Sequence, residues 1–135
     1  AIVGGTVFCD QCKDGQISVF DFPIRGIRVE VVCPSRDGEF HVVGEETSNW
    51  FGGFAVRFGW VSSLSGCYAQ IAGGGEGGGL SYCAAAGGPP KALRLVFRIL
   101  GFQMYTVDPL LSQPLDPMPF CPPSLAPPPL PQLPP

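Results

Sequence analysis

The sequence predicts an all-β fold: a small antiparallel barrel or sandwich of about seven strands, held by three disulfides and followed by a flexible proline-rich tail. Three observations lead there. Apolar residues up to position 121 recur with period two, as on half-buried strands, rather than with the helical 3.6. Gly (19) and Pro (16) are abundant and only 14% of residues are charged, against roughly 25% in ordinary soluble domains, a balance that disfavours helices. Six cysteines in 135 residues are the even count of a disulfide-stapled chain in an oxidising compartment. The length suits one core, which places the folded domain at residues 1–121 and the extended tail at 122–135.

The elements follow in order. Val3 to Cys9 reads as the first strand and Ile17 to Phe20 as a short second. In "RGIRVEVVC", Ile27, Val29, Val31 and Cys33 fall on one face and Arg28, Glu30 and Val32 on the other, the mark of a half-buried strand. "EFHVVGEE" is its hairpin mate, because Ser35-Arg36-Asp37-Gly38 supplies Asp-Gly turn chemistry between the two runs. "FAVRFGW" sets Phe54, Val56, Phe58 and Trp60 inward, and Cys67 to Ala72 is a shorter strand. "ALRLVFRIL" contains good helix formers, yet Pro89 and Pro90 precede it and Gly101 follows. Strand is preferred, with Leu93, Leu95, Phe97 and Ile99 facing in and Arg94 and Arg98 facing out.

Two segments are punctuation. "AGGGEGGGL" (72–80) lacks the Lys and Ser/Thr that end a phosphate-binding loop and reads as a connector. After Cys121 the chain becomes "PPSLAPPPLPQLPP", which cannot build a core and samples polyproline II.

A formal net charge of -3 gives no general attraction to nucleic acid. No stretch approaches the ~20 apolar residues of a membrane span, since even 92–102 carries Arg94 and Arg98, and neither nucleic acid nor membrane is expected as a partner. The chain opens almost directly on a strand-like segment, as a secreted product does after its signal is removed.

The Cys9-Asp10-Gln11-Cys12 pair admits three readings. A redox pair needs a following helix, whereas "CDQCKDG" runs into Gly15. Zinc needs four ligands, yet the other cysteines stand apart and His41 is the sole histidine. Disulfides remain, and strand alternation sends Cys9 and Cys12 to opposite sides and so to different partners. Fifteen connectivities stay open.

No metal, cofactor or catalytic set is expected. A Ser-His-Asp arrangement would depend wholly on His41, and Glu45 and Glu46, adjacent on a strand, point apart where glycoside hydrolysis needs facing carboxyls. The outward arginines Arg28, Arg57, Arg94 and Arg98 could form a local basic patch suited to carboxylates, with Trp50 and Phe51 as a stacking platform for a sugar ring. The plainer reading is that the arginines keep the surface solvated, pairing with Glu30 and Glu39, while Trp50 packs over a barrel end.

"GTVFCDQC" resembles the opening of the olive pollen allergen (Ole e I-like) and extensin family, in which Gly-x-Val-aromatic-Cys-Asp-x-Cys begins the domain. The closing cysteine of "VEVVC", the stretch from Thr47 to Phe54, and three later cysteines agree in order across about residues 2–121. Phe8 stands where Tyr is more usual, a Gly-rich loop replaces a Ser-Pro segment, and no Asn-x-Ser/Thr sequon occurs, so N-glycosylation is not expected. The resemblance implies a secreted, non-enzymatic plant protein of pollen, pistil or cell wall with a seven-stranded antiparallel barrel. It also implies the pairs Cys9-Cys83, Cys12-Cys121 and Cys33-Cys67.

The expected function is binding of cell-wall polysaccharide or arabinogalactan-type glycoprotein glycan, with Arg28, Arg57, Arg94, Arg98 and Trp50 as contacts and hydroxylation at Pro127, Pro128 and Pro129. The alternative is a secreted ligand or adaptor that engages a receptor or another wall protein through the tail. Carriage of a small molecule inside the barrel is disfavoured, because bulky inward side chains fill a small barrel.

Overall fold

The computed structural model describes residues 1–18, 21–59, 63–74, 83 and 86–121. Its strands are β1 (Ile2–Cys9), β2 (Phe22–Pro23), β3 (Ile27–Pro34), β4 (Phe40–Thr47), β5 (Gly53–Arg57), β6 (Tyr68–Gly74), β7 (Ala86–Gly87), β8 (Lys91–Ala92), β9 (Arg94–Ile99), β10 (Phe102–Thr106) and β11 (Leu110–Gln113). One sheet runs β7-β11-β1-β10-β9, with β2 and β5 along the other side of β1; the second runs β4-β3-β6-β8. The all-β class with three disulfides is what the sequence predicts. Three of the strands are two-residue pieces, so the number exceeds seven.

Most pairings are antiparallel, but β1 lies parallel to β10 through Ile2–Gly4 and to β11 through Val7–Cys9. Its other side takes β5 and β2 antiparallel. Both ends of β1 are thus paired on both sides. Its inward face carries Val3, Val7 and Cys9, all fully buried. At Gly5 a Cβ would lie 2.6 Å from the Phe54 ring and 2.8 Å from Val107; only glycine lets that ring lie against the strand.

The expected β3–β4 hairpin forms, with Gly38 at φ 84° in its turn. Ile27, Val29 and Val31 are buried and Arg28 is exposed. Val32, expected outward, is also buried; it pairs with Val42 of β4 and Tyr68 of β6, whose side chains flank it on that face. Phe54 and Val56 of β5 face the core and Phe58 packs at its margin. At Gly44 of β4, a Cβ would come within 2.9 Å of Val56 and Phe58 side-chain atoms, so β4 lies against β5 and the two sheets close toward a barrel. Each large aliphatic side chain buried there stabilises the fold by roughly 1.5–3 kcal/mol before entropy is counted.

Two expectations are corrected. Ile17 and Ser18 are not in a strand, Val19 and Phe20 lie outside the described residues, and the short strand is Phe22–Pro23; the Ser18 N–H, which a strand partner would have taken, donates to the Asp21 carboxylate (2.9 Å). The segment 94–99 is a strand, but its apolar set does not face in. Tyr105 pairs with Leu95 and Met104 with Phe97, so Val96 is an extra residue. Such a bulge reverses the faces. Leu95 and Arg98 share the side of Gln103 and Tyr105, Phe97 and Ile99 share the side of Phe102 and Met104, and all of β9 is exposed.

The disulfides join Cys9 to Cys83, Cys12 to Cys121 and Cys33 to Cys67, the pairs the family resemblance implies. Trp60, residues 75–80 of the Gly-rich loop and the whole of 122–135, including Pro127, Pro128 and Pro129, lie outside the described residues.

Candidate functional site

Between β4 and β5, Ser48-Asn49-Trp50-Phe51-Gly52 make a turn that Asn49 holds together. The Asn49 side-chain oxygen accepts from the N–H groups of Phe51 and Gly53, both at 2.9 Å. Asn49 N–H donates to the Gly53 carbonyl and Gly52 N–H to the Asn49 carbonyl. Gly52 seats the turn on the sheet: its carbonyl accepts from Val7 N–H at 2.7 Å. Its φ is +75°, and a Cβ there would stand 2.6 Å from the Val7 carbonyl oxygen. The two residues at the crest, Trp50 and Phe51, are left 73% and 83% exposed.

A guanidinium completes the group. Arg25, between β2 and β3, places its guanidinium carbon 3.6 Å from the centroid of the Trp50 ring, well within cation–π range. Ser48 delivers it there. Its buried hydroxyl accepts from Ile27 N–H (3.0 Å) and donates to the Ile24 carbonyl (2.8 Å), while Ser48 N–H bonds Ile27 O and Gly26 N–H bonds Ser48 O. Four bonds thus clamp the Arg25 loop to the aromatic turn. The result is an aromatic shelf with one face covered by a cation and the rest open, able to stack an apolar ring face and offer guanidinium donors beside it.

The other predicted contacts are not gathered at this shelf. Arg28 lies on β3, in the second sheet, 4.0 Å from the Glu45 carboxylate. Arg57 ends β5, paired with Ile2 at the far end of β1 from the turn. Arg94 pairs with Asp108 at 2.9 Å, and the β9 bulge sends it to the opposite face from Arg98. The four arginines form no single patch. Glu30, expected as an arginine's partner, is instead bonded by the Gln70 amide at 2.6 Å. Arg25 escaped the sequence reading because its link to Trp50 is tertiary; the one local sign is the Arg25-Gly26 step just before a strand.

The Cys9–Cys12 segment is organised by carboxylates. Asp10 is fully buried and accepts from Gly15 N–H (2.9 Å), Asp14 N–H (3.3 Å) and the Gln113 amide (3.1 Å). Burial pushes its carboxyl above the ordinary value, against the pull of the Gly15 N–H and the Gln113 amide. Asp21 accepts from Gln11 N–H. At the β3–β4 turn, Asp37, Glu39 and His41 each bring a ligand atom within 4.8 Å of the others. The Ser35 hydroxyl, which donates to Asp37 and lies 3.1 Å from His41 Nε2, links two of the three. That hydroxyl and then the Glu39 N–H hold the Asp37 carboxyl below its ordinary value.

No protein-family model and no curated protein sequence matches the chain. Among solved structures, the crystal structure of the major plantain pollen allergen Pla l 1 superposes with a TM-score of 0.64 at 16% identity, covering 89% of this chain and 98% of the allergen. The chain therefore shares the fold of that pollen allergen along nearly its whole length. A 9R-lipoxygenase from Cyanothece superposes at a TM-score of 0.41 and 12% identity over 91% of this chain and 17% of the enzyme, too weakly to bear on fold or function.

Proposed function

We propose that the chain is a secreted, non-enzymatic plant cell-wall or pollen protein that holds a matrix polysaccharide or arabinogalactan-type glycan on the Trp50–Phe51 shelf. The observation that carries this reading is Trp50 itself: a large aromatic left 73% exposed on a turn whose hydrogen bonds fix its backbone and whose neighbour stacks a guanidinium beneath it. The apolar C–H face of a pyranose ring stacks on such a surface, and Arg25 supplies the planar fork of donors that suits a sugar hydroxyl or a uronate carboxylate. The shared pollen-allergen fold and the three disulfides support an extracellular setting.

Affinity electrophoresis through pectic, galactan and arabinogalactan gels at low salt tests it. Retardation by at least one of them is expected, lost in Trp50→Ala and reduced in Arg25→Gln. Free migration in all of them would end the proposal. The tail composition favours the second reading, docking of residues 122–135 into another wall protein or receptor; removing those residues abolishes binding in that case and leaves glycan retardation intact in ours.

A further inference from the structure

β9 and β10 are joined by Leu100 and Gly101, at φ 50° and 85°. Both positions of this two-residue turn favour Gly, Asn or Asp. A leucine there bears backbone strain, and its side chain is 98% exposed. Asparagine would relieve both defects. Strain together with an exposed apolar side chain at one position is the kind of outlier from which a function is inferred.

The surroundings share the pattern. Leu95, Val96, Phe97, Ile99 and Phe102 are 41–60% exposed. The bulge distributes them, with Phe97, Ile99 and Phe102 on one face of the hairpin and Leu95 on the other. Residues 91–107 also contain Lys91, Arg94 and Arg98 and no acidic residue, in a chain of net charge -3. Arg94 is committed to Asp108; Arg98 and Arg57 form no ion pair among the described residues. Arg57 borders a pocket of about 380 Å³ beside the hairpin tip, shared with Ile2, Phe58, Leu100 and Phe102.

We infer that the β9–β10 hairpin is a membrane-surface anchor whose tip, Ile99 to Phe102, enters the interface of a bilayer containing anionic phospholipid, with Arg98 and Arg57 against the phosphates. Arg98 stands two residues behind Leu100, about 7 Å at the usual strand rise. That matches the roughly 5–10 Å to which interfacial elements sink, and a long arginine stem reaches to the headgroup plane. Immersion of the tip covers Ile99, Leu100 and Phe102 together, whereas a second copy packed hairpin to hairpin would set Arg98 against like charge, since residues 91–107 contain no acidic residue. The positive hairpin on a negative molecule orients the approach. No span is required, so the short apolar runs that argue against a transmembrane segment are no obstacle. Among the described residues no helix is long and apolar enough to cross a membrane, and the anchor rests on the surface.

Sedimentation of the full chain with vesicles tests this, using phosphatidylcholine alone and phosphatidylcholine mixed with phosphatidylserine. Binding to the mixed vesicles at low salt is expected. Leu100→Asn weakens it about tenfold or more, the factor that corresponds to burying a leucine side chain. The same variant melts no lower than the parent, since asparagine accepts the turn geometry, which separates lost binding from lost folding. Arg98→Gln weakens binding to the mixed vesicles about fivefold, the factor for one basic residue at an anionic surface. No binding to the mixed vesicles, or binding that Leu100→Asn leaves unchanged, overturns the inference. So does a concentration-dependent dimer that the variant dissolves, because the hairpin then docks on a second copy.

Discussion

At the scale of single residues, buried polar groups do the positioning. Ser48 holds two loops through its hydroxyl, with partners in the Ile27 N–H and the Ile24 carbonyl. Ser48→Ala leaves both without that partner and lowers stability by about 1–3 kcal/mol, to be read from urea denaturation. Asp10 gives a pH signature. Its carboxyl is raised above 3.8 by burial, so the folded chain holds the proton more tightly than the unfolded one. The associated stability is fully present below 3.8 and is lost as pH rises through the folded value. Asp10→Asn, with its oxygen in the place of Oδ2, keeps the acceptor for Gly15 and Gln113 and gives up only the longer bond from Asp14 N–H. Measured against that variant, the native chain loses stability from pH 3.8 toward neutrality; parallel denaturation midpoints across that window would refute the assignment.

At the scale of elements, β1 and β9 are opposites. β1 is the most central strand and admits nothing at Gly5, where Phe54 and Val107 occupy the position of a Cβ. Gly5→Ala displaces both and costs about 1–3 kcal/mol of overpacking, seen as a lower denaturation midpoint with an unchanged slope. β9 is a sheet edge, exposed throughout, and its bulge is the reason its alternation misleads. "LRLVFRI" has the period of a half-buried strand, yet one unpaired residue, Val96, moves Arg94 and Arg98 to opposite faces. Nothing in the local pattern marks which residue goes unpaired, because the partner strand decides it. The β3–β4 hairpin was legible for the converse reason: strand, turn and mate are contiguous, and the Asp-Gly chemistry of the turn fixes their pairing.

At the scale of the molecule, the covalent frame ties the early part of the chain to Cys121, the last of the described residues. Cys12–Cys121 spans 109 positions and Cys9–Cys83 spans 74; in the chain-entropy picture a loop of ~100 residues is worth about 4.7 kcal/mol. Replacing Cys12 and Cys121 together by alanine therefore lowers stability by about 2–5 kcal/mol in a denaturant titration. Non-reducing peptide mapping checks the three pairs directly. The length of β1 keeps the two surface features apart. The Trp50 turn rests on Val7 near one end of β1, and the Leu100 hairpin emerges beside Ile2 at the other.

By itself the sequence determined the sheet class, the inward faces of β3 and β5, the β3–β4 hairpin and, through its likeness to a family, the cysteine pairs. These follow from alternation, turn chemistry and motif order, all carried by neighbouring residues. Only the tertiary structure decided that Arg25 lies under Trp50, that the other arginines are scattered, that β1 takes parallel partners and that the apolar 94–102 segment meets solvent. Those outcomes depend on strand order and register, which are settled by contacts between residues far apart in the chain and leave no periodic trace along it.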